Sequence, residues 1–247
     1  RLAKSETSPI PRLASDQNRL SLSAAQRRQW MLVGLLPDSS LYGIPTAVRL
    51  RGKLSVQSLQ KSLEHIVAKH ETLRMTFHDE GGQPVARVVE HMSVTLPIED
   101  LTRISEADRE TVFRQRMQSL AKRGFDLREA PLWHVELIRL SAEEHVLVWS
   151  LHHILVDGWS LGILVRDLAE AYVAAEKNEQ PLHAASTVNQ QPLLRYSDYA
   201  AWQQDQDTSA DIAYWRRQLS GLAPLLELPT DFPRPAEQSF EGASYQF

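Results

Sequence analysis

Apolar positions recur along this chain with two periods, one suited to helices and one to strands, and the two alternate. Ser23 with Gln26 three residues on forms a capping box. The helix it opens, A-A-Q-R-R-Q-W-M-L-V, should stop near Gly34. A strand is predicted at Thr46 to Leu50. From Ser55 on, Leu59, Leu63, Ile66, Val67 and His70 share one helical face, with Gln60, Lys61, Glu64 and Lys69 on the others. Leu73, Met75 and Phe77 then alternate, Gly81 and Gly82 supply a turn, and Val85 to Val89 returns as the second strand of a hairpin.

Further on, Ser105 and Asp108 mark another capped start. Val112, Phe113, Met117 and Leu120 line that helix, which should end near Gly124. Leu132 to Leu140 and Val146 to Leu151 read as adjacent strands. Ser160 is placed to cap a helix with the stripe Leu161, Leu164, Val165, Leu168 and Tyr172. Residues 176 to 195, rich in Gln, Asn, Pro and Ser, read as a crossing segment between two structural units. Two helical stretches follow, Tyr196 to Gln204 and Ala210 to Leu219, then L-P-T-D-F-P-R-P and an apparent strand at Ala243 to Phe247. The fold class predicted is α/β, as an α+β sandwich with a mixed sheet flanked by helices. Residues 1–20 are expected to be an interdomain linker, 21–180 one complete lobe, and 181–247 a crossing segment with the truncated start of a second lobe.

Composition narrows the function. With 247 residues, 43% apolar and 23% charged, the chain has the make-up of an ordinary folded protein. A net charge of −4 argues against a nucleic-acid partner, which calls for a basic face. The longest apolar stretch, Val146 to Val156, is broken by Ser150, His152 and His153 and falls short of the roughly 20 residues that span a bilayer, so no membrane partner is expected. The chain has no cysteine, which excludes a disulfide framework and a thiol nucleophile, and its start has no signal-peptide core. A cytoplasmic setting fits best.

The chemistry is concentrated in L-H-H-I-L-V-D-G-W-S, Leu151 to Ser160. The strand before it is nearly all apolar and should be buried, so the histidines lie where it runs into a turn. Neighbours on a strand point to opposite faces, so one of His152 and His153 faces any given cavity. The same geometry weighs against both gripping one metal with Asp157, and no metal site is expected. In the bland reading both histidines are core residues and Asp157 caps a turn. Against it, Gly158 leaves room for a ligand to approach the backbone, and Asp157 can hold the loop through a buried ion pair.

These residues resemble the condensation domains of nonribosomal peptide synthetases, relatives of chloramphenicol acetyltransferase, whose signature is H-H-x-x-x-D-G. The resemblance runs from Ser21 to Phe247 through S-L-S-A-A-Q-R-R-Q-W-M, K-H-E-T-L-R-M-T-F, H-H-I-L-V-D-G-W-S, Y-S-D-Y-A-A-W-Q and L-P-T-D-F-P-R-P, in order. It implies a V-shaped pair of alike lobes with donor and acceptor entering a tunnel from opposite faces. It also implies amide formation, in which the amine of an aminoacyl thioester attacks an upstream acyl or peptidyl thioester. No cofactor is bound intrinsically; phosphopantetheine arrives on partner carrier domains. The implied partners are donor and acceptor carrier domains, a neighbouring adenylation domain, and the C-terminal lobe beyond this chain, in the setting of antibiotic and other secondary metabolism.

By that resemblance His153 faces the tunnel, as base or as a group orienting the amine and tetrahedral intermediate. An unperturbed imidazole, titrating at about 6.5, suits either role. His152 and Asp157 support the loop. Gly158 gives clearance for the pantetheine arm and an oxyanion contact, and Trp159 and Ser160 are tunnel candidates. The family's usual R-H-E begins with Lys69 here, so the arginine often paired with the motif aspartate is replaced. Arg74 or the absent lobe is then the expected partner of Asp157. The family's later tunnel motif is also missing, so the chain reads as an excised fragment, inactive alone. The other classes weighed are a stand-alone acyltransferase of the same fold, epimerisation and heterocyclisation domains, and a non-catalytic carrier-binding module.

Overall fold

The computed structural model describes residues 9–12, 19–36, 39–179, 187–188, 191–192, 194–223, 228–233 and 235–236. Its first helix, α1 (Ala24–Leu35), starts from the expected capping box: Ser23 accepts from the Gln26 N–H while the Gln26 side chain accepts from the Ser23 N–H. Strand β1 (Gly43–Arg51) leads to α2 (Val56–Lys69), capped by Ser55. A 3₁₀ turn over Glu71–Arg74 precedes the hairpin of β2 (Met75–Glu80) and β3 (Gln83–Val88). Gly81 and Gly82 both have positive φ there, which side chains other than glycine resist. A short strand that the alternation does not reveal, β4 (Ile98–Asp100), comes next, then α3 (Glu106–Ala121), β5 (Trp133–Arg139), β6 (Glu144–His152) and α4 (Gly158–Glu176).

The main sheet has the order β1-β6-β5-β4, with β4 parallel to β5 and the other pairs antiparallel. It is the expected mixed sheet flanked by helices. Strand β6 is central and buried on both faces. Leu147, Trp149 and Leu151 join the core built with Leu59, Leu63, Leu164 and Leu168 of α2 and α4. Val146 and Val148 meet Val112, Phe113 and Met117 of α3 on the other side. That two-sided burial explains the nearly continuous apolar run.

Two short paired strands, β7 (Thr187–Val188) and β8 (Gln191–Pro192), and α5 (Tyr196–Gln204) complete the first compact unit, which reaches Gln204, past the boundary expected at residue 180. Helix α5 is tied to this unit by polar contacts: Tyr196 Oη to Ser23 Oγ at 2.8 Å, the Ser197 N–H to Glu71 Oε1 at 2.8 Å, and the Ala24 N–H to Gln203 Oε1 at 2.8 Å. The second unit begins at Asp205 and holds α6 (Ser209–Gln218), which has no buried residue. The described part of L-P-T-D-F-P-R-P forms neither helix nor strand, and the strand expected at residues 243–247 lies outside the described residues, as do most of residues 1–18.

Candidate active site

The end of β6 sets the site. His152 is its last residue, paired across from Gly43, and its N–H donates to the Leu132 carbonyl at 2.9 Å. The side chain is fully enclosed, at 0% exposure. Its Nδ1 accepts from the Ile154 N–H at 3.0 Å, and the ring meets Phe125 edge-on with centroids 5.8 Å apart. Burial first, and the neighbouring His153 second, push its pKa down to about 4, so it is neutral at pH 7. His153 is the opposite case. Its N–H donates to the Tyr42 carbonyl at 2.7 Å, which holds the backbone, while its side chain is exposed. The strand ends between them, with one histidine enclosed and the other exposed in the turn.

The turn after them is anchored by Ile154, Leu155 and Val156, all buried, and by a hydrogen bond from Gln26 of α1 to the Ile154 carbonyl at 3.4 Å. Asp157 then caps α4. Its Oδ1 accepts from the Ser160 N–H at 2.8 Å and from Ser160 Oγ at 2.6 Å, and these bonds hold the carboxyl below its usual range. Gly158 is the first helical residue, with open space where a Cβ would stand, so this chain's own packing does not demand glycine there. Trp159 is 84% exposed beside it.

Two expectations are corrected. Ser160 is not the cap of α4; Asp157 is, and Ser160 is the residue whose N–H and hydroxyl it receives. Asp157 is also exposed and forms no buried ion pair with Arg74. The Arg74 guanidinium is engaged elsewhere, donating to the Val67 and Ala68 carbonyls at the end of α2 and to the Val89 and Glu90 carbonyls after β3. Free carbonyls at a helix C-terminus attract such a cation, as free N–H groups at a helix start attract Asp157.

Lys69 does pair with an aspartate, but a different one. Its Nζ lies 2.7 Å from Asp167 Oδ2 in α4, and His70 Nε2 lies 2.8 Å from the same oxygen, with Arg166 at 3.2 Å from Oδ1. The Asp167 side chain is 2% exposed. Burial pushes its carboxyl up, and the bonds from Lys69 and His70 outweigh that and hold it below the ordinary range. Helical spacing missed this cluster; its one sequence signal is an aspartate inside the apolar stripe between Leu164 and Leu168. Among the described residues no three His, Cys, Asp or Glu converge as metal ligands.

The sequence matches the family described as Condensation domain over residues 16–247. This chain belongs to the condensation domain family. One of the linear gramicidin synthase proteins of Brevibacillus parabrevis is 41% identical over 98% of this chain, and surfactin synthase subunit 2 of Bacillus subtilis is 36% identical over 95%. The chain spans 5% and 6% of those proteins. Among solved structures, the X-domain from teicoplanin biosynthesis superposes with a TM-score of 0.76 at 30% identity, over 93% of this chain and 49% of that one. The first condensation domain of the CDA synthetase gives 0.70 at 23%, over 82% and 51%, a likeness of fold. The chain thus spans about half the length of those two solved chains. In this family member the histidine pair stands at the end of the central strand, one ring sealed into the core and the other open.

Proposed function

We propose that this chain supplies the histidine-bearing half of a condensation domain that forms amide bonds in a nonribosomal peptide synthetase. The observation that carries the reading is the split within the histidine pair: His153 is exposed on a backbone fixed by the Tyr42 carbonyl, while His152 is sealed below it. The donor is already a thioester, so the protein has to hold two tethered reactants together and manage one proton. His153 takes or shares the proton of the attacking amine, and Gly158, with open space beside it, leaves room for the pantetheine arm. Both reactants arrive on phosphopantetheine arms of donor and acceptor carrier domains, alongside an adenylation domain, in the cytoplasm. No helix among the described residues is long and apolar enough to cross a membrane. The first lobe holds residues 21–180, to which α5 is also tied, and the chain toward residue 247 belongs with a second lobe whose far wall completes the tunnel.

The test is to incubate the complete domain with loaded carrier proteins and read the intact masses of both carriers. Transfer of the donor acyl group onto the acceptor amine is the expected result; transfer to a free amine or alcohol instead, or no transfer, overturns it. A second reading, recruitment of a partner protein without catalysis, is favoured by one observation: the X-domain similar to this chain was solved in a complex with OxyB. Absence of transfer by a well-folded complete domain would select it.

A further inference from the structure

The sheet face covered by α3 changes character toward the site. Val146 and Val148 of β6 and Ile138 of β5 meet α3 there. Beyond the end of that helix the same face carries Ser150 and His152 of β6, with His134 of β5 directly opposite Ser150. Phe125 closes this row, stacked on His134 with centroids 4.9 Å apart and edge-on to His152.

Ser150 and His152 are both 0% exposed, yet Ser150 Oγ and His152 Nε2 have no hydrogen-bond partner among the described residues. The second atom is a donor. His152 Nδ1 already accepts from the Ile154 N–H, so the proton of the neutral ring stands on Nε2. A buried polar group left unbonded is costly, and internal water usually satisfies those that protein atoms do not. Ser150 Oγ also lies close to β1. Gly43 is directly across from His152, and a Cβ there would stand 3.3 Å from the Ser40 carbonyl oxygen, 3.7 Å from Phe125 and 3.8 Å from Ser150 Oγ. Glycine at 43 therefore keeps a side chain away from the backbone oxygen and the hydroxyl it approaches.

We propose that an internal water molecule is bound on the sheet face that Ser150 and His152 share, accepting the Nε2–H of His152 and donating to Ser150 Oγ, and that it fixes the ring tautomer of His152. Ser150 is then a positioning residue for the turn that presents His153, a consequence that rests on the proposed reaction. The water and the tautomer do not.

The experiment uses the complete condensation domain in three forms, wild type, Ser150→Ala and Ser150→Thr. Crystals of the wild type should show a density peak within about 2.7–3.2 Å of both atoms. That peak should vanish in Ser150→Ala and return in Ser150→Thr. Nitrogen NMR of labelled histidine should place the His152 proton on Nε2, and its exchange with solvent should quicken in Ser150→Ala. No peak in the wild type, a peak that survives Ser150→Ala, or the proton on Nδ1 would overturn the assignment. With loaded carriers Ser150→Ala should turn over about 10- to 100-fold more slowly, as expected for a displaced reacting group, with Ser150→Thr restoring the rate. Unchanged turnover would overturn the positioning role and leave the bound water standing. If the wild type itself transfers nothing, the proposed reaction fails, and density and tautomer still decide the water.

Discussion

The two ends of the turn at residues 153–157 are built on opposite principles. At the strand end His152 is enclosed, its ring held by a backbone N–H and by aromatic neighbours, so its place depends on the packing of the whole sheet. At the helix start Asp157 is exposed and bonded to Ser160, three residues away. One end is fixed by tertiary structure and the other by a local cap. His153 lies between them, held at the backbone and free at the side chain. A damaged strand end should therefore unsettle the domain, while a damaged helix start should loosen one turn.

The sharpest division is between chemistry and fold at His153. In the complete domain His153→Ala should slow condensation by about 10²–10⁴, the usual contribution of a positioned acid–base group, with no change in melting temperature. Turnover on loaded carriers and a thermal melt check both halves. Wild-type turnover would remove His153 from the reaction, and a lowered melting temperature would make it part of the core.

Next in size is Asp167, whose carboxylate gathers Lys69, His70 and Arg166 where α2 meets α4. Asp167→Ala takes the shared carboxylate from Lys69 and His70, which are only partly exposed, and the loss of one member of a buried pair costs up to roughly 3–5 kcal/mol. Urea unfolding should show it. Because the folded-state pKa of Asp167 lies below the ordinary carboxylate value, its contribution is present above about pH 3.8 and lost as pH falls through the folded pKa.

His152 titrates with its own dependence, set at higher pH. Its folded pKa of about 4 lies below the ordinary imidazole value of 6.5, so the unfolded chain binds more protons between those values and stability rises with pH across that window. Full stability is present above pH 6.5, and on the order of 2–3 kcal/mol should be lost by pH 4. His134, also pushed down to about 4 by burial, adds to the same slope, so His134→Phe should flatten it and leave the share of His152. A melting temperature independent of pH from about 7 to 4 would contradict the burial of both rings. His152→Ala should also damage folding outright, by removing the acceptor of the Ile154 N–H.

What the sequence discloses and what it hides divide along the same lines. The capping box at Ser23, the stripe of α2 and the two-sided strand β6 are local or periodic, and they are legible in the order of residues. The partners of Lys69, Glu71 and Tyr196 lie far away in the chain, and spacing carries no information about which helix end meets which cation. The family habit of pairing an arginine with the motif aspartate pointed to Arg74, whereas the free carbonyls at the end of α2 claim it. Strand β4 has only Ile98–Asp100 to show for itself, too short for an alternation to register.

The smallest effect belongs to Asp157, and it decides between a local cap and a buried pair. A cap lost to alanine costs about 1 kcal/mol, whereas a buried ion pair broken on one side costs roughly 3–5 kcal/mol. Asp157→Ala should therefore fall near the lower figure, and Asp157→Asn, which keeps the cap acceptor, should lose only the interaction of its charge with the helix start. Ser160→Ala removes one of the two donors and should cost less than either pair value. The pH dependence has the carboxylate sign. With the Asp157 pKa held below 3.8 by the Ser160 bonds, its contribution is full above that pH and fades as the pH falls through the folded value. Chemical unfolding of the wild type and these three variants at about pH 7 and pH 3 is the measurement. A loss of the larger size at Asp157→Ala, undiminished in Asp157→Asn, would mean that a buried cation in the complete domain reaches this carboxylate after all.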